Sequence, residues 1–397
     1  MVAIAPFAID TYLPALPAMA DQFGVDIVQL NYTVSTYLIG FGLGQLAGGP
    51  IGDQLGRKPI GLVGLVIFIL GSLVIAFADS AAQVQWLRPL QALGGGFVAS
   101  ICMAMVRDSY PPTEAAKRFP IVMLVMLAAP LVAPILGTLL LPFGWASLFW
   151  FLVAYGLMIL VVFARLPETH RARTGKLQLG NVLPQYGEVL TRRVHGDLVP
   201  LRYILTQGFV SSGLMVFLTN AAFIYLEYFQ VDVQTFPIYF GANVAMMMAT
   251  TLVTARLVTR YAPFGIFRFG TLAQLASVLA LLVLVMTDQP PLVGVTIALA
   301  CVIGSAGFIN STISGLHLAN FNRLAGSAGA LMSMSTFTFG ALLGALSGWL
   351  YDGTLRPIVV IMASAIAVAT LICWTTPPPR SWDDEAIAAS QSPSKFD

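Results

Sequence analysis

Apolar stretches of about twenty residues recur from one end of the chain to the other, separated by short polar breaks. A stretch of that length is what a helix needs to cross the hydrocarbon core of a bilayer. Twelve such spans are predicted, at 1–20, 29–51, 59–78, 83–105, 119–142, 145–165, 202–226, 236–258, 266–286, 290–316, 327–349 and 355–375. The longest polar stretch, roughly 166–200, divides six spans from six and carries Arg165, Arg171, Arg173, Lys176, Arg192, Arg193 and Arg202 at or within its edges. The predicted organisation is a first six-helix half (1–165), a connecting loop (166–201), a second six-helix half (202–376) and a polar, disordered tail (377–397). Such a division suggests two related halves with a substrate site between them. Sequence support for a repeat is slight: Val258-Thr259-Arg260-Tyr261 stands after span eight where Gly52-Asp53-Gln54-Leu55 stands after span two.

Composition agrees with the pattern. The 397 residues are 57% hydrophobic and 10% charged, with a mean hydropathy of +0.83, whereas a soluble domain carries roughly 25% charged residues. The expected fold is therefore an all-α integral membrane protein. The net charge of +2 matters less than its placement. Loops after the even-numbered spans, with the tail, hold Arg57, Lys58, Arg107, Lys117, Arg118, Arg256, Arg260, Arg268, Arg323, Arg380 and Lys395. The opposite loops carry Asp21, Asp26, Asp79, Asp232, Asp288 and Asp352 against the single base Arg356. The positive-inside rule then places both termini in the cytoplasm. Residues 1–20 could be taken for a signal peptide ending at Ala18-Met19-Ala20, but no Lys or Arg precedes the apolar part, and Asp10, Pro14 and Pro17 interrupt it. A first membrane helix is expected instead, with an upstream segment missing from the chain.

Cys102, Cys301 and Cys373 fall in apolar spans without metal-ligand or CxxC spacing and are expected to pack. No metal site is expected. An intramembrane enzyme would need a nucleophile or metal cluster, yet HExxH, GxSxG and His-rich sets are absent. A channel would need a repeated filter element or rings of charge, also absent.

Asp10 and Arg88 are charged residues that stand more than three positions inside a predicted span. Asp10 lies near the middle of the first, where an ionised carboxylate costs about 2.5–3.5 kcal/mol on insertion scales. Arg88 lies inside span four in Trp86-Leu87-Arg88-Pro89-Leu90-Gln91, with Gln91 one turn on along the same face. It either turns inward to polar partners or snorkels to the headgroups; the inward position is the expectation. Desolvation favours a protonated Asp and a nearby guanidinium an ionised one. If their geometry changes with conformation, Asp10 takes up a proton in one state and releases it in another. A permanently ionised pair that braces the bundle is the alternative.

Span two ends in Gly49-Pro50-Ile51-Gly52-Asp53-Gln54-Leu55-Gly56-Arg57-Lys58-Pro59. Pro59 after Lys58 rules out a phosphate-binding loop. The stretch resembles the loop between helices two and three of the major facilitator superfamily, with Gln54 in place of the usual Arg. The resemblance implies twelve membrane helices in two halves and a latch on the cytoplasmic gate, here Asp53, Arg57 and Lys58 on the turn made by Gly49 and Gly56. Arg88 and Gln91 resemble the family's R-x-x-Q-G-x-G motif, with Ala92 for the first Gly. Span five, with Pro130, Pro134 and Gly137, loosely resembles the antiporter motif and is expected to act as a hinge, since each proline removes a helical hydrogen bond. Together with Asp10-Thr11-Tyr12-Leu13-Pro14, Val106-Arg107-Asp108-Ser109-Tyr110-Pro111-Pro112 and Leu166-Pro167-Glu168-Thr169, the chain is most similar to the bicyclomycin-resistance (Bcr/CflA) drug-efflux group.

Two glycine ladders, Gly40-Gly44-Gly48-Gly52 in span two and Gly340-Gly344-Gly348 in span eleven, are expected to face each other across the halves, beyond packing their own helices. Candidate substrate contacts in the first half are Tyr12, Tyr37 and Phe41, as aromatic walls of an adaptable pocket with core packing as the alternative, and Gln91; in the second half they are Asn220, Phe223, Glu227, Asn243 and Asn310, on faces read from three-and-four spacing along helices. Interhelical hydrogen bonding is the alternative for the amides. His317 is expected to be structural. The resemblance implies a proton-coupled exporter of amphipathic drug-like molecules in a bacterial inner membrane. It would be a monomer powered by the proton gradient, without a cofactor or a nucleic-acid partner. The alternative is a dedicated exporter of one metabolite such as a siderophore, or an uptake symporter.

Overall fold

A computed structural model describes residues 1–110, 112–169, 180, 182–194, 196–287, 289–321 and 324–379. Arg171, Arg173, Lys176, Asp288, Arg323, Arg380, Lys395 and most of the tail lie outside the described residues, as do the side chains of Arg107, Lys117 and Arg118. The described residues form helices α1 (Ile4–Asp10), α2 (Leu16–Phe23), α3 (Ile27–Leu55), α4 (Arg57–Ile75), α5 (Ala81–Ser109), α6 (Pro112–Leu140), α7 (Ala146–Arg165), α8 (Val182–Thr191), α9 (Val199–Ala222), α10 (Phe236–Leu257), α11 (Pro263–Val285), α12 (Leu292–Leu318), α13 (Ala325–Trp349) and α14 (Arg356–Thr375). Ten helices among them are long and apolar enough to cross a membrane. The eleventh, α3, is 29 residues long but dilutes its apolar face with Gln29, Asn31, Thr33, Ser35 and Thr36.

The first predicted span departs from expectation. It is not one helix but two, α1 and α2, joined through Thr11, Tyr12 and a 3-10 turn at Leu13–Ala15. Pro14 has no N–H for the Asp10 carbonyl and Pro17 none for that of Leu13, so the α-helical ladder cannot cross the junction. Thr11 Oγ1 turns back to the Phe7 carbonyl. The break places Asp10 at the last residue of α1.

Packing sorts the helices into α1–α7 and α9–α14. Within the first set α3 and α4 flank α5 and α7 backs α4; within the second α9 contacts α12, α13 and α14, and α12 contacts α10 and α11. The main seams between the sets are α3 against α13 and α6 against α10. Spans two and eleven thus do adjoin, but the ladder of α3 does not line that seam. Side chains built on Gly40 and Gly44 would run into the carbonyls of Pro89 and Leu93 on α5, so these glycines serve the close crossing inside the first set. Toward α13 the contact passes through Gly42, opposite Phe337, while Gly344 and Gly348 approach Ser35 and Tyr32 of α3. Gly340 faces Met215 of α9. The physical reason is the helical period, which puts residues 40, 44 and 48 on one face and 42 on another.

Helix α6 runs through Pro130 and Pro134 without interruption. Gly137 is where it crosses the break in the first span, so close that a Cβ would meet the Thr11 carbonyl. The connecting stretch, read from sequence as polar loop, contains α8, whose buried positions are Val182, Tyr186 and Val189.

Candidate functional site

Arg88 is fully buried, at 0% exposure, which excludes snorkelling. Its Nη1 donates to the Ala8 carbonyl at 3.0 Å and to Gln91 Oε1 at 3.1 Å. Gln91 Nε2 donates in turn to Ser72 Oγ at 2.8 Å, and Ser72 Oγ to the Phe68 carbonyl. The guanidinium lies over the ring of Tyr12 at 3.9 Å, with Tyr37 at 5.1 Å and Phe149 at 5.5 Å. Three rings and a carbonyl supply what water would otherwise supply to a buried cation. Two of its nitrogens, Nε and Nη2, are buried without a hydrogen-bond partner.

Asp10 is also buried, at 4% exposure. The Ala8 carbonyl held by Arg88 lies two residues before it and Tyr12 two residues after, and Tyr37 is within electrostatic reach of both Asp10 and Arg88. Among the described residues no ion pair joins Asp10 to Arg88, so the permanently ionised pair is not the arrangement described here. The helix break accounts for this, because the carboxylate leaves α1 at its end while the guanidinium engages the carbonyl inside it.

Tyr12, Tyr37 and Phe41 do not line open space here. Tyr12 and Tyr37 are 1% and 0% exposed, Tyr12 Oη meets Thr33 Oγ1 at 2.9 Å, and Tyr37 stacks on Phe41. Phe41 meets Phe337 of α13 edge-on at 4.8 Å, so it belongs to the seam.

The loop between α3 and α4 forms a charged cluster. Gly56 joins the helices at φ +107°, in the region that favours glycine. Arg57, 2% exposed, pairs with Asp53, donates from Nε to Asp108 Oδ2 at 3.2 Å and from Nη1 to the Gly49 carbonyl at 3.4 Å. Glu168 accepts the backbone N–H groups of Arg57 and Lys58 at 3.0 and 3.1 Å, a carboxylate at the positive end of α4. Lys58 therefore enters through its backbone. In the sequence Asp108 and Glu168 stand out only as motif residues, because their distance along the chain from residue 57 hides their place in this cluster.

In the second set the amides are tied into helix contacts. Asn220 donates to the Val216 carbonyl and to Ser347 Oγ of α13, both at 2.8 Å, and accepts from Asn31 of α3 at 3.4 Å. Asn243 donates to Tyr225 Oη at 3.0 Å and to the Tyr239 carbonyl at 2.9 Å. The shared face predicted for Asn220, Phe223 and Glu227 ends at Phe223, where the helix loosens into a π-turn over Phe223–Tyr228 and the α-helical spacing no longer holds. Phe223 stays buried against Tyr351, but Glu227 is turned out and exposed. Asn310 accepts from Gln207 Nε2 at 3.1 Å, an amide that also reaches Ser211 Oγ and Thr336 Oγ1. Gln207 was missed from sequence, although it is an amide inside a predicted span like those chosen; its Oε1 is buried without a partner.

The family profile described as Major Facilitator Superfamily matches residues 1–345. The chain is 28% identical over 371 residues to a bicyclomycin resistance protein homologue of Haemophilus influenzae, covering 92% of this chain and 91% of that protein. It is 26% identical over 397 residues to the multidrug resistance protein MdtL of Klebsiella pneumoniae, covering 98% and 97%. Among solved structures, a D-xylose-proton symporter superposes with a TM-score of 0.75 at 14% identity, over 95% of this chain and 96% of that one. The human organic anion transporter MFSD10 does so with a TM-score of 0.64 at 17% identity, over 94% and 98%. A profile match over most of the chain, relatives aligned almost end to end and a shared helical fold agree: the chain is a membrane transporter, not an enzyme, and belongs to the major facilitator superfamily.

Proposed function

We propose that the protein exports amphipathic, drug-like small molecules across a bacterial inner membrane in exchange for protons, by alternating access, as a monomer with both termini in the cytoplasm. The observation that carries this reading is a buried acid at a helix break, two residues from the carbonyl held by a buried guanidinium that has two nitrogens without a hydrogen-bond partner. Unpartnered buried donors on a charged group are costly, and a site that tolerates them has a partner in another state. We assign that role to Asp10, two residues along from the Ala8 carbonyl that Arg88 holds. When the first span shifts about its break, the carboxylate meets the free side of Arg88 and loses its proton; when it withdraws to the position described here, it takes one up. Proton uptake from the periplasm is thereby tied to substrate release. The cluster of Asp53, Arg57, Asp108 and Glu168 latches the cytoplasmic ends, and Pro130 and Pro134 let α6 flex. Tyr12, Tyr37, Gln91, Gln207 and Asn310 would face substrate once the halves part. Bicyclomycin resistance and multidrug resistance in the names of two relatives support a drug-like substrate.

The test is flux into proteoliposomes under an imposed pH gradient, comparing the wild type with Asp10→Asn over a panel of compounds. The variant is expected to bind substrate yet lose gradient-driven accumulation. Full accumulation by the variant would remove Asp10 from the mechanism.

A further inference from the structure

We infer that α8 is a strap across the seam between the two helix sets, keyed by Tyr186 to a carbonyl on α3 that Pro50 leaves without a helical donor. In a continuous helix the N–H of residue 50 would bond the carbonyl of residue 46. Pro50 has no N–H, so the Leu46 carbonyl needs another donor, and Tyr186 Oη provides it at 2.7 Å.

The rest of α8 is seated on the second helix set. Val182, Tyr186 and Val189 pack with Ile204 of α9, Phe321 after α12, and Ala328 and Leu331 of α13. Gln185 Oε1 accepts from Ser327 Oγ of α13 at 3.0 Å. One short helix thus rests mainly on α9 and α13 through an apolar face whose edge also meets Leu46 of α3, and its hydrogen bond to α3 is the one from Tyr186. Burial, with the Asp53 carboxylate second, pushes the Tyr186 phenol up to about 12, so it stays a donor at any physiological pH. The same neighbourhood brings α8 beside the Asp53–Arg57 loop. Because the apolar face travels with α9 and α13, parting α3 from α13 at this end requires the Tyr186 bond to break. Tyr186 is accordingly a positioning residue for the arrangement seen here, independent of proton coupling.

The experiment measures spin-label distances between Glu188→Cys on α8 and Pro59→Cys at the start of α4, with Cys102, Cys301 and Cys373 replaced by serine and no gradient applied. In Tyr186→Phe the ring and its packing remain while the donor is lost. The ratio of close to distant populations is expected to fall roughly two- to tenfold, the range of one net hydrogen bond. Pro50→Ala returns an N–H to the Leu46 carbonyl with Tyr186 intact. It is expected to shift the ratio the same way, and the double variant to go no further than either single one. An unchanged distribution in Tyr186→Phe, or strictly additive shifts in the double variant, would overturn the strap. Loss of Asp10-dependent flux bears on the transport reading and leaves this distance unaffected, so the two fail separately.

Discussion

At the scale of single residues, Arg88 is held by a carbonyl, an amide oxygen and three aromatic faces, with half of its fork unused. A lysine would keep the charge but not the planar fork or its stacking on Tyr12. Arg88→Lys is therefore expected to lower gradient-driven flux at least tenfold, as hydrogen bonds to charged groups are worth about 1.5–3 kcal/mol. Arg256→Ala, at the last turn of α10, should change flux less than about twofold; equal losses in both would reduce Arg88 to a bundle brace. Gly137 offers a second test. Any Cβ there meets the Thr11 carbonyl, so Gly137→Val should push α6 off the helix break and cost about 1–3 kcal/mol of stability, read as a lowered midpoint of thermal unfolding in detergent.

At the scale of elements, the start of α4 depends on a residue more than a hundred positions away. Glu168 caps two N–H groups that α4 cannot satisfy itself. Glu168→Ala is expected to cost about 0.5–2 kcal/mol, in the range of lost helix caps, while Glu168→Gln should recover part of this by keeping the acceptor without the charge. A thermal-unfolding series on the two variants checks the order. The π-turn after α9 is the other element that governs chemistry, because it turns Glu227 outward and takes it off the face from which Asn220 reaches α13.

For the whole molecule, the α3–α13 seam carries one polar junction, Asn31–Asn220–Ser347. Intramembrane hydrogen bonds of this kind average about 0.6 kcal/mol. Asn220→Leu is thus expected to shift the balance between closed and parted seam by roughly threefold. A cysteine at Ser35, buried opposite Gly344, should then react faster with a membrane-impermeant thiol reagent added from the periplasmic side. No change in that rate would mean that apolar packing alone holds this end.

The spans were legible in the sequence because crossing a bilayer is a local demand: some twenty consecutive apolar residues answer it whatever the rest of the chain does. Asp10 and Arg88 were legible for the same reason, since an ionisable group inside such a run is conspicuous on its own. Pairing was not. The face of α3 that meets α13 rather than α5, the capture of Arg88 by the Ala8 carbonyl instead of Asp10, and the arrival of Glu168 and Asp108 at Arg57 each join residues far apart in the chain. So does the bond from Tyr186 to a carbonyl vacated by Pro50. Hydropathy and spacing constrain each helix by itself, whereas these contacts depend on the rotation and depth at which one helix meets another, and packing against all its neighbours decides both.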